Sequence, residues 1–551
     1  VNDRDEETKE SRLKPLAHYA ILRDRWFWLA LAASGFVLSL TVWFGFGMDQ
    51  SIYSYGAWVW KHYHLPPYIG VWDQNWPGIF IVHRIALEIF GETILGFRIF
   101  DFLIQLSAVV MIFYLAQRLL SSSAAGFFAG IFYSIYYYGL GFMGAGEREA
   151  YIFWILLVCT VLVLKLGEQS MFRAALIGLF SGFAFLLKPT FALAGLVFAV
   201  LFLAEGIKQK RGRLLAGLSL YSLFFILPLL AVVFYYQRLD RLSDLYRATI
   251  WYNLAVYRKM GPPFWSMREL ISSQIHRIML ADQRVIFYSS LFGLFVVLSF
   301  RLAAREKKLF WLSMVWALTG IFSCVVQDRY FPYHLIPFWG FMTIYAGAGW
   351  GWLTERILGQ GKKVFRKALA GIFLMAAIGL MIYGLKPYLR EFAVTHYFRN
   401  LDEAYLAELG RYDGHLAANY YLAALHLRPI IMPDDGLEFF GPYPLINFVL
   451  KKKLPSRFPC VQSLILVPRE GKLSDIQREW IREYSSDVIK ARPRFFLVSN
   501  YFPGQKNPFF NSLSPSLEEA LNNEFPDLRD FLRKNYTLKS VIRQVDIYER
   551  L

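Results

Sequence analysis

The sequence predicts an α-helical polytopic membrane protein with a C-terminal extracytoplasmic α/β domain. Three observations predict it. Of the 551 residues, 56% are hydrophobic and 18% aromatic, with a mean hydropathy of +0.35, which is far from the composition of a soluble domain. Apolar stretches of about 20 residues, the length of a helix that crosses a bilayer, recur through the first two-thirds of the chain. Lys and Arg gather in alternate loops between those stretches.

Residues 1–25 are charged and contain Pro15. They read as a cytoplasmic segment rather than a signal peptide, because the first apolar stretch is long enough to stay as an anchor. Eleven spans follow, near 26–47, 97–117, 124–143, 150–166, 172–187, 190–205, 214–236, 285–300, 309–326, 334–353 and 367–385. They make up a membrane unit over 26–385. Segment 172–205 folds back at Lys188-Pro189, since a proline disfavours helix in the residue before it. With the N-terminus inside, the short inner loops carry sixteen Lys and Arg, clustered at Arg118, at Lys165 and Arg173, and at 208–213, 301–308 and 356–367. The short outer loops carry three: Arg148, Lys188 and Arg329. This asymmetry orients the chain and, with an odd number of spans, puts the C-terminus outside. It also accounts for the net charge of +17 without nucleic acid, for which no groove-reading motif is present. The three cysteines (Cys159, Cys324, Cys460) have no metal-ligand spacing and imply no disulfide framework.

Three outer segments are long. Segment 48–96 has apolar runs broken by His83, Arg84 and Glu88, which suits helices lying along the interface. Segment 237–284 is rich in aromatics, including Trp251, Tyr252 and Trp265, as at a membrane–water boundary. The tail, 386–551, has turn signals at Pro433-Asp434-Asp435-Gly436 and Gly441-Pro442. Strand-like runs occupy Ser463 to Val467 and Arg494 to Ser499. Pro526 to Lys534 reads as an amphipathic helix, and Thr537 to Tyr548 alternates like an edge strand. This composition predicts a mixed α/β domain over 386–551.

The groups that could carry chemistry all fall on the outer side. Asp49 opens the first outer loop, and Asp73, Asn75 and Pro77 lie further along it. Glu147-Arg148-Glu149 precedes the fourth span, Lys188-Pro189 separates the fifth and sixth, and Arg329-Tyr330-Phe331-Pro332-Tyr333-His334 precedes the tenth. Carboxylates beside cations suit a phosphate-bearing substrate: the cations neutralise phosphate, and a carboxylate takes a proton or holds a metal ion. Plainer readings exist for each. Asp49 can cap a helix, Glu147 to Glu149 can form a solvated turn, and Lys188 can snorkel to the interface.

An Asp-led segment after the first span, followed by Trp72-Asp73-x-x-x-Pro77-Gly78, resembles the polytopic GT-C glycosyltransferases. The similar branch contains the protein O-mannosyltransferases and the lipid A aminoarabinose transferases. The acidic element at Gly146 to Tyr151, the Lys188-Pro189 pair, the Arg329 to Pro337 segment, and in the tail Ala491 to Ser499 and Phe525 to Tyr536 extend the resemblance over nearly the whole chain. The chain departs from the pattern at Gln50, where many relatives have a second acid, and at Asn75-Trp76-Pro77, where a lysine commonly precedes the proline.

The resemblance implies a membrane glycosyltransferase that takes a sugar from a polyprenyl-phosphate donor. The acceptor would be a lipid, glycan or protein at the outer face of a bacterial inner membrane. It implies Asp49 as the catalytic base. Arg148, Lys188 and Arg329 would grip the departing phosphate, and Glu147, Glu149 and Asp73 would orient the acceptor or a cation. Tyr55, Asn75, Tyr330 and His334 are further candidates. No nucleotide is required, and no glycine loop for one is present. A loosely bound divalent cation is the one cofactor considered, and no residue spacing demands it. The alternatives are a flippase for lipid-linked saccharides and a non-catalytic surface protein. A flippase would place ionisable groups deep in the spans.

Overall fold

The computed structural model describes residues 21–168, 170–207, 211–259, 284–299, 304–327, 331–359, 371–372, 379, 416–467, 471–500, 514 and 516–551. Its membrane part consists of α1 (Arg25–Ser39), α2 (Met48–Tyr63), α3 (Gly78–Phe90), α4 (Ile94–Leu120), α5 (Ser123–Gly139), α6 (Arg148–Lys165), α7 (Met171–Leu187), α8 (Ala192–Ile207), α9 (Arg211–Arg238), α10 (Arg284–Leu298), α11 (Ala304–Gln327) and α12 (Ile336–Gly359). Every expected span up to 334–353 is therefore a helix, and the one expected at 367–385 lies almost wholly outside the described residues. Among the described residues, four helical stretches are long and apolar enough to cross a membrane: Arg25–Trp43, Ile94–Leu120, Leu215–Arg238 and Glu306–Gln327.

Side chains at the ends set the helix limits. Asp24, Thr93, Ser122 and Ser170 each accept a hydrogen bond from a backbone N–H in the first turn of α1, α4, α5 and α7. Small residues let the helices approach closely. A Cβ added at Gly293 of α10 would overlap the Tyr345 carbonyl of α12, and one at Gly182 of α7 would meet the Phe225 carbonyl of α9. Elsewhere α9 is lined with exposed Leu223, Leu227, Leu230 and Phe234, a surface suited to lipid tails. The turn expected at Lys188 is present: α7 stops at Leu187, Lys188 is extended, and a single 3₁₀ turn (Pro189–Phe191) leads into α8.

The C-terminal part contains α13 (Leu416–Leu427), β1 (Leu437–Phe440), α14 (Leu445–Leu450), α15 (Asp475–Ala491), β2 (Phe495–Ser499), α16 (Leu517–Glu524), α17 (Pro526–Asn535), β3 (Tyr536–Ile542) and β4 (Val545–Arg550). The sheet order is β1-β2-β4-β3, with β1 and β2 parallel and the other pairs antiparallel. Two tail expectations need correction. Ser463 to Val467 is not a strand, because Gln462–Ile465 forms a short helix packed against α15. A short run that is buried all round carries no period that separates helix from strand. Thr537 to Tyr548 is not one edge strand but a hairpin. It turns at Arg543, whose φ is +56°, so that β3 is the edge and β4 is internal.

The tail is packed onto segment 48–96. Trp72 is buried among Tyr252, Phe458 and Trp480, with ring centroids 4.8, 6.0 and 4.7 Å away, and its backbone N–H donates to the Arg457 carbonyl at 2.6 Å. Phe46, just before α2, meets Phe448 of α14 at 5.8 Å. Trp72→Ala would empty this cage. Loss of about 3–5 kcal/mol, seen as a lower melting temperature in detergent, is the expected result; an unchanged melting temperature would show that the cage does not hold the tail.

Candidate active site

Two turns meet at the head of α2. One, Phe44 to Gly47, enters the helix; the other, Phe142 to Glu147, enters α6. The Arg98 guanidinium on α4 lies buried between them. It donates from Nη1 to the Ala145 carbonyl at 2.7 Å, from Nη2 to the carbonyls of Phe142 (3.0 Å) and Gly45, and from Nε to that of Phe44 at 3.3 Å. Gln50 ties the same turns from above. Its Oε1 accepts from the Gly47 N–H at 2.8 Å, and its Nε2 donates to Glu147 Oε1 at 2.7 Å and reaches the carbonyls of Met143 and Ala145. Below, the Gly146 N–H donates to the Tyr137 hydroxyl at 2.7 Å, which donates to Asp101 Oδ2 at 2.7 Å. Position 146 needs glycine: its φ is +83°, and a Cβ would stand 2.9 Å from the Phe97 ring.

These turns present Asp49 and Glu147 to one another. Asp49 lies in the first turn of α2, half-buried, and Tyr333 donates to its Oδ2 at 3.3 Å. Burial, helped by the negative Glu149, pushes its carboxyl above the usual carboxylate range against the pull of Arg148 and Tyr333. Glu147 is fully buried, and its Oε2 has no hydrogen-bond partner among the described residues. Burial and the neighbouring Asp49 push it well above the usual range. Burial without a full set of partners disfavours the charged form of this side chain.

Arg148 follows, and its Nη1 donates to Asn75 Oδ1 while its Nε has no partner among the described residues. Asn75 is fixed on every side: its N–H donates to Asp73 Oδ1 at 2.6 Å, its Nδ2 to the Tyr53 hydroxyl at 2.9 Å, and its carbonyl accepts from the Tyr68 hydroxyl at 2.7 Å. Burial pushes the Asp73 carboxyl up to about 7, with Asp49 adding to the shift and the Asn75 N–H opposing it. Lys188 is buried in an ion pair with Glu149, and His334 Nε2 stands 3.5 Å from the same carboxylate oxygen.

The candidates drawn together are thus Asp49, Asp73, Asn75, Glu147, Arg148, Glu149, Lys188 and His334. Tyr55 is not among them, because its hydroxyl accepts from the Leu454 N–H at 2.6 Å and holds the tail. Arg329 and Tyr330 lie outside the described residues. Among the described residues no three His, Cys, Asp or Glu side chains converge as metal ligands. Sequence reasoning missed Gln50, Tyr53, Tyr68, Tyr333 and, above all, Arg98 and Asp101. The last two had a usable signal, since ionisable residues inside an apolar span are expensive unless employed.

Arg98→Met would remove the guanidinium from four carbonyls, of which Ala145 keeps Gln50. A loss of several kcal/mol is expected, with Arg98→Lys in between, because a single ammonium cannot span both turns; equal melting temperatures for the two variants would contradict this. Asp73 has a pH signature. Between the ordinary carboxylate value of about 4 and its own value of about 7, the folded chain keeps a proton that the unfolded chain has lost. The stability this group contributes therefore falls as pH rises through that window. Melting curves across it should decline less steeply for Asp73→Asn than for the parent.

Residues 74–260 match the family model described as dolichyl-phosphate-mannose-protein mannosyltransferase. No curated protein matches by sequence. Among solved structures, the chain is similar to ArnT from Cupriavidus metallidurans bound to undecaprenyl phosphate, at 12% identity and a TM-score of 0.55, covering 96% of this chain and 98% of that one. The apo state of the same protein gives 13% identity, a TM-score of 0.55 and the same coverage. A weaker likeness, with a TM-score of 0.46 and 12% identity, links 87% of this chain to 70% of the oligosaccharyltransferase AglB from Archaeoglobus fulgidus. The chain thus shares the fold of ArnT over almost its whole length, and its residues 74–260 match a mannosyltransferase family model.

Proposed function

We propose that the chain transfers a sugar from a polyprenyl-phosphate-linked donor to a lipid, glycan or protein acceptor, at the periplasmic face of a bacterial inner membrane. Residues 26–385 would form the catalytic membrane unit and 386–551 a periplasmic unit, with the N-terminus cytoplasmic. The observation that carries the reading is the pairing, at one end of the helices, of a half-open carboxylate with an arginine that keeps an unpartnered Nε, namely Asp49 and Arg148. The charge asymmetry of the loops supports an outward orientation for that end. The similar ArnT structure holds undecaprenyl phosphate, the type of leaving group such a donor releases.

In this reading an acceptor hydroxyl or amine gives its proton to Asp49 as it attacks the anomeric carbon. The bond from that carbon to the phosphate oxygen breaks, and the phosphate keeps the electron pair. A carboxylate raised above its usual range is a stronger base for the task. Arg148 meets the charge that grows on the phosphate. Arg329 is the second candidate for that role. Lys188 is already matched by Glu149, so its contribution is to hold Glu149 beneath Arg148 rather than to add a free cation. Glu147, carrying a proton, is suited to donate a hydrogen bond to a sugar or acceptor oxygen.

Lipids that copurify with the parent and with Asp49→Asn test the reading by mass spectrometry. A polyprenyl-phosphate sugar enriched on the variant, with bare polyprenyl phosphate on the parent, is expected. The intact lipid-linked sugar on both alike would favour a flippase, and ordinary phospholipids alone on both would remove the donor assignment.

A further inference from the structure

The first outer loop touches the candidate active site on one side and the C-terminal part on the other. Arg457 stands at the second junction. Its guanidinium forks onto Glu483 of α15, Nε to Oε1 at 2.7 Å and Nη2 to Oε2 at 3.0 Å. Nη1 donates away from the tail, to the Tyr68 carbonyl at 3.0 Å and to Asp244 Oδ1 at 3.2 Å. The Arg457 carbonyl also accepts from the Trp72 N–H. One residue of the tail thus binds both ends of the Tyr68 to Trp72 turn and the segment that follows α9.

Tyr68 is the next link. Its φ is +71°, a left-handed conformation that costs a side-chain-bearing residue on the order of 1 kcal/mol. Its N–H is satisfied by the Val71 carbonyl at 2.7 Å, and its carbonyl by Arg457. Held in this way, the fully buried Tyr68 ring delivers its hydroxyl to the Asn75 carbonyl. Asn75 in turn offers Oδ1 to Arg148. Direct hydrogen bonds therefore run from Arg457 through Tyr68 and Asn75 to Arg148. The fork matters, because a lysine could not serve Glu483 and the Tyr68 carbonyl with fixed geometry.

We propose that Arg457 is a positioning residue for the donor phosphate, acting through Tyr68 and Asn75 on Arg148; this rests on the polyprenyl-phosphate reading above. The C-terminal part then completes the donor site without touching the donor. The same chain accounts for an asparagine at position 75: its amide can accept from Arg148 and donate to Tyr53 at once, which a lysine could not.

The test uses the full chain in detergent and undecaprenyl phosphate without sugar as the probe. Affinity is measured for the parent, Arg148→Gln, Asn75→Ala, Arg457→Met, Arg457→Lys and the Asn75→Ala/Arg457→Met double variant. Arg457→Met is expected to weaken binding on the order of tenfold, the size of one charge-assisted hydrogen bond, with Arg457→Lys in between. The double variant should bind no more weakly than the weaker single one, because both changes cut the same chain. Where Arg457→Met does not fold, Tyr68→Phe replaces it in the cycle, since it removes only the hydroxyl. If the parent and Arg148→Gln bind the probe alike, the donor reading itself falls. If Arg148→Gln loses binding but the Arg457 variants match the parent, or the two changes add independently, the positioning role alone is overturned.

Discussion

A single guanidinium carries the geometry of the candidate site. Arg98 rises from α4 into a space bounded by two turns and satisfies carbonyls from both. An uncompensated cation at that depth would be costly. Four carbonyl dipoles compensate it, and each is a fixed point on a turn that carries a carboxylate. Asp49 stands a few residues after Gly45, and Glu147 two after Ala145. The solvation of one buried charge therefore sets the distance between two others. Gln50 repeats the arrangement with a neutral amide. A carboxylate at position 50 would have no N–H to give Glu147 or the Met143 and Ala145 carbonyls, which the Gln50 amide supplies.

Charge is balanced separately at the two ends of the helices. At the end opposite Asp49, Arg173 is buried against Glu205, which also pairs with Lys308; Lys308 reaches Glu168 at 3.0 Å. At the Asp49 end, Lys188 and Glu149 neutralise each other, with His334 beside them. What remains there among the described residues is Glu147, whose burial disfavours its charged form, the carboxyls of Asp49 and Asp73, and an Arg148 whose Nε is unengaged. So small a residue of charge leaves the balance to whatever charge a ligand brings.

The helices are largely legible in the sequence, because only a bilayer imposes a recurring length of about 20 apolar residues with charged ends. Asp49, Asp73 and Arg148 are legible as polar groups stranded beside spans. Tyr333 and Tyr53 are not, since an aromatic residue near an interface reads as anchoring, and its hydroxyl's partner is fixed only by packing. Arg98 and Asp101 escape notice because the surrounding window is so apolar that two charges hardly lower it. In the tail the alternation is real but runs across a turn: Arg543 reverses the chain where its side-chain type gives no warning. Tyr55 suggests itself as a site residue by its nearness in sequence to Asp49, whereas on a helix the two face different ways.

Asp49 and Tyr55 sit on one uninterrupted helix, the first accepting from Tyr333 in the candidate site and the second receiving the Leu454 amide of the tail. Each residue of a helix turns the next by about 100° and advances it by about 1.5 Å. A single insertion or deletion between them would rotate one relative to the other by that amount, so that either the Asp49 carboxylate or the docking hydroxyl would point into packed protein. The segment from Asp49 to Tyr55 is accordingly a ruler. A substitution within it disturbs one contact at a time, whereas a change in its length would part the chemistry from the docking of the tail.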